Sequence, residues 1–260
     1  ASESPDRQDR ATGVPERPTI NVPRMSDGAA VTTTVEDGVA VVRFDDGKVN
    51  VLSFDAIAAL HEAFDRATEE ASAVALVGGQ RAFSAGFDLS VMTRGLDAAL
   101  ELVGAGGELL LRVFTHPQPV VAGARGHALA GGVLLLAAGD VRIGADGPAK
   151  IGLNETAIGM SLPAFAIELA RERLTPTALL PATLLAQLYD PAGAVAAGWL
   201  DRVVPADELE AAAIAEARRL GELPRSAYAQ TKQSLHQPLV DRVRAAAAAD
   251  TAKFTIEPPA

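Results

Sequence analysis

The chain contains no cysteine, which excludes a disulfide framework, a thiolate nucleophile and a cysteine-ligated zinc site. Aromatic residues make up only 4% of the 260 residues, while hydrophobic residues reach 48%, much of it Ala and Leu. A sizeable core is therefore available, built by close packing of small side chains rather than around large rings. Cations are outnumbered, 23 against 33 acidic residues, for a formal charge of −10. That balance argues against nucleic acid and anionic membrane surfaces, both of which select clustered Lys and Arg. An anionic small ligand remains possible, because it needs only a local basic rim. No apolar run reaches the roughly 18 residues of a membrane span, and the N-terminus lacks the apolar centre of a secretion signal. A soluble, cytoplasmic protein is expected. The four histidines, His61, His116, His127 and His236, form no pair at metal-ligand spacing, so no metal site is expected. The G-x-S-x-G, Walker A and G-x-G-x-x-G patterns are missing as well, so hydrolase, NTPase and dehydrogenase readings lose their markers.

What is present begins after a polar, Pro-rich stretch. Residues 1–28 carry too little apolar material to fold alone and read as a flexible tail, with Met25 as a candidate natural start. Strand-like runs follow from Val31, at Val39–Phe44, Ala73–Val77, Val120–Ala124 and Val141–Ala145. Between them Ser53 can cap a helix with an apolar face of Phe54, Ile57, Leu60 and Phe64. A longer helix runs through Leu96, Leu100, Val103, Leu110, Leu111 and Phe114, weakened in its middle by Gly104, Gly106 and Gly107. Val133–Ala138 reads as a fully buried helix opened by Gly131–Gly132. Beyond Glu155 the pattern is helical, with Thr175-Pro176 and Asp190-Pro191 as cap-plus-proline starts. Trp199–Val204 reads as an extended link, and Asp207–Leu220, Arg225–Leu235 and Val240–Phe254 as three helices. Strands alternating with helices, then a helical end, predict an α/β fold: tail 1–28, core 29–205 and a helical region 206–260.

Three segments carry chemistry. In Ser84-Ala-Gly-Phe-Asp88 a glycine lets the backbone turn so that the Phe87 N–H faces inward. Taken alone, an ordinary turn fixed by Asp88 explains it more simply. A helix opening at Gly131–Gly132 brings its positive end, with the Gly131 N–H, close to a bound carbonyl. Taken alone, tight helix packing serves as well. Glu155 sits among Ile151, Leu153, Ala157, Ile158 and Met160, where burial raises a carboxyl toward a useful proton-transfer pKa. A surface glutamate, or one paired with Arg171 or Arg173, is the equal alternative. His127, beside the Gly131 loop, is read as a structural hydrogen-bonding group.

In order and spacing, Phe83-Ser-Ala-Gly-Phe-Asp-Leu89, Gly126-His-Ala-Leu-Ala-Gly-Gly132 and Ile151-Gly-Leu-Asn-Glu-Thr-Ala-Ile-Gly159 resemble the crotonase (enoyl-CoA hydratase/isomerase) superfamily. The likeness spans about Val35 to Lys232 and includes Asp46-Gly-Lys-Val-Asn-Val-Leu52. It implies a spiral of β-β-α turns, a C-terminal helical oligomerisation region, and a homotrimer or dimer of trimers. It also implies an acyl-CoA thioester substrate whose oxygen is held by the backbone N–H groups of Phe87 and Gly131, with no cofactor beyond the CoA that the substrate carries. CoA would lie along Lys48, Val49, Val51, Ser84, Ala85 and Asp88, and the acyl group against Val91, Met92, Leu134, Met160, Leu162 and Phe165. Ser90 stands where hydratases often carry Lys, so Lys48, Arg81, Arg94 or Lys253 would supply the ionic contact instead.

One departure points to the reaction. The resemblance implies two glutamates in a hydratase, yet Leu134 occupies the earlier position and Glu155 alone remains. A single carboxylate is enough to carry a proton from C2 to C4 of a 3-enoyl thioester, so a Δ3,Δ2-enoyl-CoA isomerase of fatty-acid oxidation is expected. A hydratase and a catalytically silent acyl-CoA-binding paralogue are the alternatives.

Overall fold

The computed structural model describes residues 30–253, with side chains through residue 246. The tail 1–28, Met25, the predicted helix end at Phe254 and the Lys253 side chain lie outside the described residues.

The chain opens with β1 (Val31–Glu36), which alternates half-buried and exposed residues, and β2 (Val39–Phe44), which is buried almost throughout. An edge strand with one wet face and an inner strand covered on both sides produce those two patterns. After β3 (Val51–Leu52), the Ser53 hydroxyl accepts the Ala56 N–H and starts α1 (Phe54–Glu70). Ile57, Leu60 and Phe64 are buried as the spacing predicts, but Phe54 in the first turn is 38% exposed.

Three β-β-α turns then follow. They are β4 (Ala73–Gly78), β5 (Ala82–Ser84), a short β6 (Gly86–Phe87), α2 (Leu89–Met92) and α3 (Leu96–Phe114); β7 (Val120–Ala124), β8 (His127–Leu129) and α4 (Gly131–Ala137); and β9 (Val141–Ala145), β10 (Ile151–Gly152) and α5 (Ala164–Arg173). The first strand of each turn joins one sheet and the second joins another. The larger sheet has the order β1-β2-β4-β7-β9 and a sixth strand; the smaller is β10-β8-β5; β3 and β6 pair separately. Apart from the β1–β2 hairpin these ladders are parallel. The fold is α/β, with the predicted spiral visible as this alternation between sheets.

The chain continues through α6 (Pro176–Thr183), α7 (Pro191–Ala197), β11 (Arg202–Val204), α8 (Leu209–Gly221) and α9 (Arg225–Lys253). Several sequence expectations change here. The Trp199–Val204 link contains β11, which pairs in parallel with β9 and completes the larger sheet. The helices expected at Arg225–Leu235 and Val240–Phe254 are one helix with Pro238 inside it. Proline removes a single ladder donor, and Leu239, Val240 and Val243, each buried, hold the following turn against the core. Thr175 takes the cap position of α6 without a side-chain cap bond, whereas Asp190 accepts the Gly193 N–H at the start of α7. Leu96 is 50% exposed rather than part of the apolar face of α3. α8 buries Leu209, Ala213 and Ala217 against Val41, Ala75, Val77 and Val121 of the larger sheet, forming a second core on that sheet's outer face.

Candidate active site

All three strands of the smaller sheet run the same way, so their C-terminal ends meet at one edge. Ser84 leads there to Gly86 and Phe87, Leu129 to Gly131, and Gly152 to Glu155. The three segments singled out in the sequence are thus delivered to one place by register: Ser84 lies opposite Ala128, and Leu129 opposite Gly152.

The first edge is organised by Asn50, which is fully buried at φ +55. Its side-chain amide donates to the carbonyls of Phe44 (2.6 Å), Ala82 (2.9 Å) and Phe83 (3.2 Å), while its Oδ1 accepts the Asp46 N–H at 2.8 Å. Its own carbonyl accepts the Ser84 hydroxyl at 2.7 Å. These bonds fasten the 45–52 loop to the β5–β6 strand. In a parallel ladder alternate residues of one strand point their amides at the neighbour. The Asp88 N–H goes to Leu52 O at 3.2 Å, so the Phe87 N–H faces the opposite way. Gly86 has φ +92, a conformation that favours glycine.

At the second edge Ala130 precedes α4 with φ +52 and ψ −131, strained for a residue with a Cβ. That turn aims the start of α4, and Gly131, as its first residue, has no acceptor within the helix for its N–H. Gly132 is required for close approach: a Cβ there would lie 2.2 Å from Ser84 O.

A small cavity of about 20 Å³ adjoins these edges, lined by Phe87, Met92, Val103, Leu134, Glu155, Met160, Ser161, Pro163 and Phe165. It has room for roughly one water. Glu155 is 8% exposed, and burial pushes its carboxyl up to about 7, against the lowering pull of hydrogen bonds from its own and the Asn154 amide. Its Oε2 has no hydrogen-bond partner among the described residues. Neither suggested arginine pairs with it: Arg171 binds Glu168 at 3.0 Å, and Arg173 donates to the carbonyls of Ala137 and Gly139. Among the described residues, Glu155 is the sole ionisable side chain on the cavity wall.

The model of the family described as "Enoyl-CoA hydratase/isomerase" matches residues 34–257. The chain belongs to that family. It is 41% identical to an enoyl-CoA hydratase/isomerase family protein of Pseudomonas syringae of known structure, with a TM-score of 0.83 over 86% of this chain and 97% of that one. It is 30% identical to human mitochondrial enoyl-CoA delta isomerase 1 over 84% of this chain and 74% of the human protein. A putative enoyl-CoA hydratase of Thermus thermophilus is 33% identical over 72% of this chain and 75% of its own length. The family relationship makes the protein an enzyme of the crotonase superfamily and connects it with fatty-acid metabolism.

Within this family member, Met92, Leu134, Met160, Phe165, Phe87 and Glu155 converge on one cavity. Val91 is buried and Leu162 half-buried in the main core, both off the cavity wall. Lys48, Arg81 and Arg94 are exposed, Val49, Val51 and Ala85 half-buried. The Ser84 hydroxyl is consumed by Asn50 and by the Gly86 N–H, and Asp88 caps α2 by accepting the Ser90 N–H. His127 accepts the Lys150 N–H, the structural role expected for it. Asn50 was missed; an Asn flanked by two valines in a loop was the available signal. Val103, Ser161 and Pro163 are further wall residues with no motif to mark them.

Proposed function

We propose that the protein is a Δ3,Δ2-enoyl-CoA isomerase of fatty-acid oxidation. The Glu155 carboxylate takes a proton from C2 of a 3-enoyl-CoA, and the electron pair spreads through the conjugated system onto the thioester oxygen. The backbone N–H groups of Phe87 and Gly131 hold that oxygen, each contributing about 3 kcal/mol to the barrier reduction. The same carboxyl returns the proton to C4, which leaves the double bond between C2 and C3 and the enzyme unchanged. No cofactor enters this cycle.

The reading rests on one observation: Glu155 shares its cavity wall with Leu134 and with no other ionisable group among the described residues. Water addition needs a second acid–base group, and a leucine that is 1% exposed cannot serve. CoA would lie along Lys48, Val49, Val51, Ser84, Ala85 and Asp88, of which the Ser84 side chain is already bonded to the Asn50 carbonyl and that of Asp88 caps α2. The exposed Leu180 on α6 and Leu184 and Leu185 just after it favour self-association, proposed here as a homotrimer or dimer of trimers and to be checked by light scattering. No helix among the described residues is long and apolar enough to cross a membrane, and a cytoplasmic location is proposed.

The test is direct. Wild type converts 3-hexenoyl-CoA to the conjugated 2-enoyl thioester, seen as a rise in its absorbance, and E155Q binds the substrate without converting it. Rapid loss of crotonyl-CoA absorbance would instead support a hydratase. Binding without turnover of either substrate would leave the silent paralogue.

A further inference from the structure

Three glycines within four positions of a helix disfavour it, yet α3 runs unbroken from Leu96 to Phe114. Packing accounts for two of them. A Cβ on Gly106 would lie 2.1 Å from Cε1 and 2.5 Å from Cζ of Phe87. A Cβ on Gly107 would lie 3.0 Å from Cδ1 and 3.1 Å from Cε1 of Phe165. A Cβ on Gly104 meets nothing within 4 Å. The helix surface is therefore hollowed where two aromatic rings rest, and both rings face the Glu155 cavity.

The rings are held differently. Phe87 is wedged, since its opposite edge lies 3.0 Å from where a Cβ on Gly131 would be. It cannot swing without disturbing α4. Phe165 enters from the first turn of α5 and is backed by Gly107. A cavity with room for about one water holds little of an aliphatic tail, and Phe165, 9% exposed and packed on Gly107, closes it on that side.

We propose that Phe165, seated on Gly107, is the specificity-determining residue that closes the acyl pocket and restricts the enzyme to short-chain 3-enoyl thioesters. This rests on the isomerase reading above. The two substitutions at the contact act in opposite directions. Phe165→Ala removes the wall. Gly107→Ala inserts a methyl behind the ring and pushes it a few tenths of an ångström toward the cavity.

The experiment compares kcat/KM for 3-hexenoyl-CoA and 3-dodecenoyl-CoA. Wild type favours the hexenoyl substrate. F165A raises the dodecenoyl-to-hexenoyl ratio by about tenfold or more, the effect expected when an apolar pocket changes by a methylene or larger. G107A lowers that ratio. Phe165→Leu, which keeps most of the packing, shifts it in the same direction as F165A and serves if the alanine variant does not fold. Equal use of both substrates by wild type, or a uniform loss at both lengths in F165A or F165L, would overturn the proposal. Calorimetric dissociation constants for hexanoyl-CoA and dodecanoyl-CoA give the same ratio without turnover. If wild type isomerises neither 3-enoyl substrate, the isomerase reading fails, while this binding ratio still decides the role of Phe165.

Discussion

Gly86 lies directly against Gly131. A methyl group on Gly86 would sit 3.1 Å from the Gly131 nitrogen, 2.8 Å from Ala130 Cβ and 3.0 Å from Leu129 O. The segment carrying the Phe87 amide and the segment carrying the Gly131 amide thus touch backbone to backbone. Their spacing is set without an intervening side chain to adjust it.

Gly86→Ala is accordingly a severe change. It combines a positive φ with a contact that cannot relax by rotating a side chain. Unfolding in urea should show a loss of about 1–3 kcal/mol. With the Phe87 and Gly131 amides in their proposed role as oxyanion donors, kcat should fall by about a hundredfold or more as they separate. Activity near wild type would mean that the two amides are not placed by this contact.

Glu155 sets activity and stability in opposition along the pH axis. Its carboxyl is held up at about 7 by burial, against an ordinary value of 4.5. In the proposed role of base it works ionised, so kcat/KM for a 3-enoyl-CoA should rise with pH through about 7 and then level off. Folding runs the other way. The folded chain keeps the proton where the unfolded chain has lost it, so this contribution is full below the ordinary value and disappears as pH rises through the folded one. The two and a half pH units correspond to about 3 kcal/mol. E155Q should therefore be more stable than wild type at pH 8 and no more stable at pH 4, as read from urea melts.

Local features of this fold were legible in the sequence. The Ser53 cap, the buried strands and the apolar run of α4 are each written in a few neighbouring residues. Glu155 stood out because it is one acid in an apolar stretch. Features that depend on distant partners were not legible. β11 exists because Arg202 meets Ile143 and Val204 meets Ala145 in a ladder. α9 passes Pro238 because the following residues are buried. Asn50 matters through carbonyls more than thirty positions away, a separation of 32 to Ala82 O and 33 to Phe83 O. The glycines of α3 read as weakness until Phe87 and Phe165 are seen resting on two of them.

Those glycines divide cleanly under mutation. Gly104 is exposed and faces open space, so Gly104→Ala meets no obstacle and gains helix propensity. It should stabilise the protein by up to about 1 kcal/mol, or about 2–4 °C in Tm for a chain of this size. Gly106→Ala should lower both stability and kcat, because Phe87 cannot clear the new methyl without moving its own backbone. A thermal melt of the two variants side by side tests the contrast.

The last prediction concerns the anchor of α9. Lys232 Nζ lies 2.7 Å from Asp140 Oδ2, which also accepts the Val120 N–H at 2.7 Å. The lysine side chain is 5% exposed, so burial pulls its pKa down although Asp140 favours its charged form. Asp140 lies in the turn between α4 and β9, and the pair ties the C-terminal helix to the core. Asp140→Asn leaves a buried ammonium without its counter-charge and should cost about 3–5 kcal/mol. The sign of its pH dependence is set by the lysine. The unfolded chain holds that proton more readily than the folded one, so the variant should regain stability as pH rises from 7 toward 10. Combining Asp140→Asn with Lys232→Met should recover much of the loss, because the uncompensated charge goes with the lysine. Urea melts of the two single variants and the double variant at both pH values supply the test. Strict additivity of the two losses would show that the residues do not act as a pair.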